Sequence, residues 1–138
     1  MPGFVPDASV ALTWCFESEA TPWTDGVLQR LKNGEEAIVP AHWPMEVANT
    51  LVMALRRGRI TDEKAQSFLR DISSLPIRID PESTTQAFNR AFTFARQYKL
   101  TSYDAAYLDV AMRASLPLAT LDVDLRKAAE AAGVPLVS

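Results

Sequence analysis

Short apolar runs alternate along this chain with longer stretches in which apolar positions recur every three or four residues. The short runs, residues 4–5, 37–39, 77–79, 118–121 and 134–137, are mostly bounded by Pro, Asp or Gly and read as strands buried on both faces. Between them, stripes such as Val47, Leu51, Ala54 and Leu55, or Ala87, Ala91, Phe94 and Ala95, follow the period of an amphipathic helix. Strand and helix in alternation predict an α/β fold built on a parallel sheet.

Capping residues sharpen the helix boundaries. Thr61 ahead of Asp62 and Glu63 predicts a helix start, because a hydroxyl accepts from orphan N–H groups and early acids suit the positive end of the dipole. Gly58 is placed to end the preceding helix, and Gly133 to end a last one begun near Val123. Ser83-Thr84-Thr85-Gln86 fits a capping box opening a helix to about Tyr98, and a further helix is expected from Thr101 to about Ala114. With no linker, repeat or low-complexity stretch, the 138 residues are expected to form a single domain around one core.

Composition narrows the function. The net charge of -3 and pI near 5.1 argue against broad attraction to nucleic acid through a basic surface, so any such contact is local or metal-assisted. Cys15, the one cysteine, sits in an apolar stretch and reads as a buried thiol, with no disulfide or zinc cluster to build. No apolar run is long enough to span a bilayer and MPGFVPDAS lacks the marks of a signal peptide, so the expected compartment is the cytoplasm, with no membrane partner.

The candidate chemistry lies in Asp7, Glu46, Asp104 and Asp122. Asp7 ends the first predicted strand and Asp122 the fourth, Glu46 falls in the first turn after the second, and Asp104 opens the helix beginning at Thr101. Right-handed crossovers put the carboxyl ends of parallel strands on one edge, where ligands bind. Each acid also has a purely structural reading: Thr101-Ser102-Tyr103-Asp104 is a capping-box pattern, the dipole favours Glu46, and Asp7 and Asp122 can cap the helices after them. The conjunction is what points to a site, since four clustered carboxylates repel one another unless a cation offsets them. An all-oxygen donor set suits Mg²⁺, with Mn²⁺ as a substitute, rather than zinc.

Other residues support or flank these four. Ser9 and Thr120 carry hydroxyls able to orient a carboxylate or a water, Asn49 lies one turn after Glu46, and Asp124 competes with Asp122 for the last acidic position. Asp109 is about 140° around its helix from Asp104 and is expected to face water. His42, the only histidine, reads as a loop residue between Pro40 and Pro44 rather than a base. Arg56, Arg57 and Arg59, with Arg126 and Lys127, could meet phosphates if they border the acidic edge, although a solvated helix end is the simpler reading. Trp14, Trp23 and Trp43 read as core or interface area.

The segments VPDASVALTW, PMEVANTL, LTSYDAAYLDVA and LATLDVDLRKAA resemble PIN-domain ribonucleases, in particular the VapC toxins of bacterial toxin-antitoxin pairs, over nearly the whole chain. The resemblance implies a PIN-like three-layer fold with a parallel central sheet of about five strands flanked by helices. It implies a metal-dependent endoribonuclease, commonly dimeric, acting on RNA and inhibited by a VapB-type antitoxin. It also implies a metal site at Asp7, Glu46, Asp104 and Asp122, with Asp7 and Asp104 foremost. Pro6 departs from the family pattern, which has a β-branched apolar residue there; lacking an N–H, it is expected to end or bend the first strand.

Two other classes compete. An Mg²⁺-binding receiver domain needs adjacent acids after its first strand, whereas Asp7 has Pro6 and Ala8 beside it; a dehalogenase-type phosphatase needs a second acid where Ser9 stands. The remaining alternative is a catalytically inert interaction protein of the same fold, against which retention of all four acids weighs.

Overall fold

In the computed structural model, which describes residues 3–138, the chain is an α/β fold whose strand pairs are all parallel. The elements run β1 (Val5–Pro6), α1 (Ala8–Thr13), α2 (Pro22–Lys32), β2 (Ala37–Val39), α3 (Trp43–Arg56), α4 (Asp62–Ser73), β3 (Ile77–Ile79), α5 (Arg90–Tyr98), α6 (Ser102–Ala114), β4 (Leu118–Ala119) and α7 (Val123–Ala132). Two ladders, β1 with β4 and β2 with β3, are joined by a single bridge between Phe4 and Ala37.

Pro6 explains why that junction is so short. Val5 and Asp7 donate their N–H groups to Pro117 and Ala119 on the β4 side, at 2.9 and 3.0 Å, while Phe4 donates toward Glu36 on the β2 side. The next N–H on the β2 side belongs to residue 6, where proline has none, so the β1–β2 ladder stops. Asp7 keeps its aim through its own bond to Ala119.

Three sequence expectations need correction. The run 134–137 supplies only a one-residue bridge from Leu136 to Leu118, and the fourth strand ends at Ala119 rather than at residue 121, so the expected five strands are four short strands plus a bridge. The run 77–79 is not buried on both faces: β3 pairs with β2 alone, and Arg78 and Ile79 are exposed. The helix expected from Ser83 is broken into a 3-10 turn over Thr85–Phe88 and α5, because Ser83 does not cap. Its hydroxyl instead accepts from the Ala41 N–H and donates to the Asp80 carbonyl, both at 2.9 Å, tying two loops together.

The other caps form as read. Thr61 and Thr101 accept from the N–H groups of Lys64 and Asp104, Asp7 and Asp122 do the same for Val10 and Leu125, and Gly58 and Gly133 take the positive φ that follows a helix end. The central strands are buried on both sides. Val5 and Leu118 join a core with Val47, Leu51, Leu108 and Leu125, while Phe4, Ala37 and Ala119 join another with Val27 and Leu31 of α2. Trp43 is buried, and the indole N–H groups of Trp14 and Trp23 bond to the carbonyls of Thr24 and Val137. Cys15 is a buried free thiol. No helix among the described residues is long and apolar enough to cross a membrane.

Candidate functional site

Asp7, Glu46, Asp104 and Asp122 are delivered to the same edge of the sheet by different elements. Asp7 directly follows β1 and is the N-cap of α1; Asp122 follows β4 and is the N-cap of α7; Glu46 and Asp104 lie in the first turns of α3 and α6. Their fields overlap: Asp104 feels the charges of Asp122 and Glu46, and Asp7 feels that of Asp104.

Asp7 is the most deeply held, at 4% exposed. Ser9 Oγ donates to its Oδ1 at 2.6 Å, the Thr120 hydroxyl donates to Oδ2, and the Val10 N–H caps onto Oδ1 at 3.2 Å. The two hydroxyls also accept, from the N–H groups of Leu121 and Asp122 at 3.1 and 3.0 Å, so they stitch the end of β1 to the loop after β4. Burial pushes the Asp7 carboxyl up to about 6 despite those three donors, and the charge of Asp104 adds to the rise. Asp104 is also raised, first by burial and then by Asp122 and Glu46, against the opposing pull of Thr101 and His42.

Glu46 behaves differently. Burial acts to raise it, but hydrogen bonds from His42 and Tyr107 outweigh burial and leave the carboxyl below its ordinary value. The Tyr107 hydroxyl donates to Glu46 Oε1 at 2.5 Å, and His42 Nε2 stands 3.3 Å from that oxygen. Burial and the neighbouring carboxylates push the Tyr107 phenol far up, so it holds its proton and donates.

Among the supporting residues, Ser9 and Thr120 touch an acid directly, whereas Asn49 and Asp124 stand exposed. It is Asp122, not Asp124, whose charge reaches Asp104. Arg126 borders the edge, its Nη1 donating to the Thr120 carbonyl at 2.9 Å while its guanidinium lies over the Trp23 ring. Arg56, Arg57 and Arg59 do not join it: they sit at the far end of α3, about 15 Å along the axis from Glu46, where Arg59 stacks on Phe16. Asp109 does not face water. It is 1% exposed and paired with Arg90 and Arg113, because α5 packs along α6 and covers that flank.

Two features escaped the sequence reading. Tyr107 looks like one more apolar position of α6, although its place one turn after Asp104 puts both on one face. The other is that exposed apolar side chains stand next in sequence to three of the acids: Met45 beside Glu46, Tyr103 beside Asp104, and Leu121 and Val123 on either side of Asp122.

The donors fit a hard divalent cation in chemistry, being all carboxylates, and they load one small region with negative charge that positive charge would relieve. Among the described residues, no three His, Cys, Asp or Glu side chains already close to metal-gripping distance. The arrangement is therefore an electronegative edge with Asp7 fixed from behind.

A family model described as "PIN domain" matches residues 4–131. Ribonuclease VapC3 of Pyrobaculum aerophilum is 32% identical over 80 residues, covering 58% of this chain; the match spans 61% of that relative's length. A solved structure of PAE2754 from Pyrobaculum aerophilum superposes with a TM-score of 0.68 at 24% identity, covering 92% of this chain and 84% of the other. VapBC2 from Rickettsia felis, solved bound to a DNA fragment from its promoter, gives a TM-score of 0.65 at 13% identity over 97% and 96% of the two chains. At those identities the two structures speak for the fold.

Proposed function

Since the chain belongs to the PIN-domain family, we propose that it is a metal-dependent endoribonuclease, the toxin of a VapBC-type pair, hydrolysing RNA phosphodiester bonds. The observation that carries this reading is the convergence of Asp7, Glu46, Asp104 and Asp122 on one sheet edge, where burial first and the neighbouring carboxylates second raise the carboxyls of Asp7 and Asp104. The likeness to a ribonuclease named VapC3 and to the fold of a VapBC complex supports it.

Asp7 and Asp104 would hold Mg²⁺ or Mn²⁺, with Glu46 and Asp122 beside them. When bound, the cation offsets charge on the scissile phosphate and lowers the pKa of an attacking water. The protein's own contribution is positional. Ser9 and Thr120 fix both oxygens of Asp7, and the Thr101 cap sets the turn that carries Asp104. The acidic edge repels an RNA phosphate until its charge is offset, which makes cleavage depend on the cation rather than on a basic groove. In-line attack by water leaves a 5′-phosphate and a 3′-hydroxyl, whereas attack by the ribose 2′-hydroxyl leaves a cyclic phosphate.

The partners of this reading are a VapB-type antitoxin and a second copy of the chain, and its compartment is the cytoplasm. The test is incubation of the purified protein with total RNA in Mn²⁺ and in EDTA, with the ends of the products mapped. Cleavage in Mn²⁺ alone, giving 5′-phosphates, is expected. Cleavage undiminished in EDTA would overturn the metal assignment. A protein that binds no Mn²⁺ and cuts no RNA would be the inert interaction protein instead.

A further inference from the structure

We propose that Tyr107 and His42 are positioning residues that hold Glu46 by a single carboxylate oxygen, Oε1, and so reserve Oε2 for the cation; the proposal rests on the metal-site reading above. The Tyr107 hydroxyl donates to Oε1 at 2.5 Å, and His42 Nε2 stands 3.3 Å from the same atom. No hydrogen bond or ion pair reaches Oε2 from the described residues. Glu46 is thus presented as a one-oxygen ligand with its rotation blocked, a job that groups behind metal ligands commonly perform.

The geometry around His42 fixes its role. Nε2 lies 3.1 Å from the Tyr103 carbonyl as well as 3.3 Å from Glu46 Oε1. Both neighbours are acceptors, so Nε2 carries the hydrogen in either charge state of the ring. The ring is wedged between two aromatics of α6, tilted against Tyr103 at 5.5 Å and edge-on to Tyr107 at 5.2 Å between centroids. His42 belongs to the turn that opens α3, while Tyr103 and Tyr107 bracket Asp104 on α6. The contacts therefore clamp the first turn of α3 to that of α6 and set the spacing between Glu46 and Asp104.

A buried phenol needs some acceptor, and mere satisfaction of its polar tip is the rival explanation. Tyr107 is 1% exposed, yet its hydroxyl reaches out to an acid of the electronegative edge, and a second donor converges on the same oxygen. Satisfaction alone requires neither the half-exposed partner nor the convergence.

The probe is Mn²⁺ alone, titrated calorimetrically at one fixed pH into wild type, Tyr107→Phe, Glu46→Gln and the double variant, with melting temperatures taken in EDTA. Tyr107→Phe keeps the ring and its packing. It is expected to weaken Mn²⁺ binding about tenfold with little change in metal-free melting, and to add nothing in the Glu46→Gln background. His42→Ala is expected to cause a smaller loss. Wild-type affinity in Tyr107→Phe overturns the positioning role while leaving the metal site intact. A full further loss on top of Glu46→Gln shows that Tyr107 does not act through Glu46. A wild type that binds no Mn²⁺ overturns the metal reading and this proposal with it.

Discussion

Helix α6 carries two aspartates with opposite fates. Asp109, in its middle, is almost fully buried and meets two guanidinium groups, Arg90 and Arg113, the latter also bonded to Asp80 at 2.6 Å and to Glu82 at 3.5 Å. Asp104, in its first turn, is half-buried among Asp7, Glu46 and Asp122, and among the described residues no arginine or lysine bridges it. The protein places cations against the first acid and leaves the second group uncompensated. Charge neutralised inside the chain serves the fold; charge left uncompensated at a sheet edge is open to something from outside. Arg126, which borders that edge, is turned to a carbonyl rather than to a carboxylate.

The comparison breaks most sharply if the two aspartates are exchanged for their amides. Asp104→Asn is expected to lower Mn²⁺-dependent RNA cleavage on the order of 10²–10³-fold while leaving the urea midpoint near that of wild type. Unchanged turnover in a folded Asp104→Asn protein would remove the acid from the site. Asp109→Asn is expected to do the reverse. An amide cannot balance two guanidinium groups, and breaking a buried pair commonly costs about 3 kcal/mol or more. The value should fall at the low end, because Arg113 retains Asp80 and Arg90 is partly exposed. Urea unfolding measures the loss, and activity per folded molecule should hold. A large stability loss in Asp104→Asn, or none in Asp109→Asn, would erase the distinction.

The same pair of aspartates marks where the sequence was legible. The strand-end position of Asp7 and the first-turn positions of Glu46 and Asp104 follow from local pattern, because parallel topology converts chain position into place at an edge. Asp122, by contrast, lies past the end of β4, beyond Thr120 and Leu121, and reaches the edge as the cap of α7. What covers the side of a helix does not follow. Asp109 was off the site face as its angle implied, but only the packing of α5 against α6 turned that flank inward. Ser83 carried a capping pattern and spent its hydroxyl on Ala41 and Asp80, an arrangement 42 residues wide in sequence. Tyr107 was hidden for the complementary reason. A tyrosine in an apolar stripe reads as core, and its hydroxyl acquires a partner only when α3 and α6 meet. Pro6, by contrast, acted locally and as read, through an N–H it lacks.

The mildest test concerns the cost of leaving the edge uncompensated. Asp7 has a carboxyl near 3.8 when unfolded and is pushed up to about 6 in the native protein, chiefly by burial. Below 3.8 both states hold the proton and the native state suffers no penalty. As pH rises through the interval, the unfolded chain ionises first, so stability falls, and above about 6 the loss is complete and constant. The ceiling is about 3 kcal/mol at 1.36 kcal/mol per unit, and any relaxation of the buried carboxylate toward water reduces it. Asp7→Asn keeps an acceptor for the Val10 N–H and has no charge to bury. In excess EDTA it should therefore gain on wild type as pH rises from 4 to 7, read as a widening gap between urea midpoints, and Mn²⁺ added at pH 7 should narrow the gap by stabilising wild type alone. A gap that stays flat across that range would mean that the donors Ser9, Thr120 and Val10 already balance burial, and that Asp7, like Asp109, is an acid the protein has neutralised for itself.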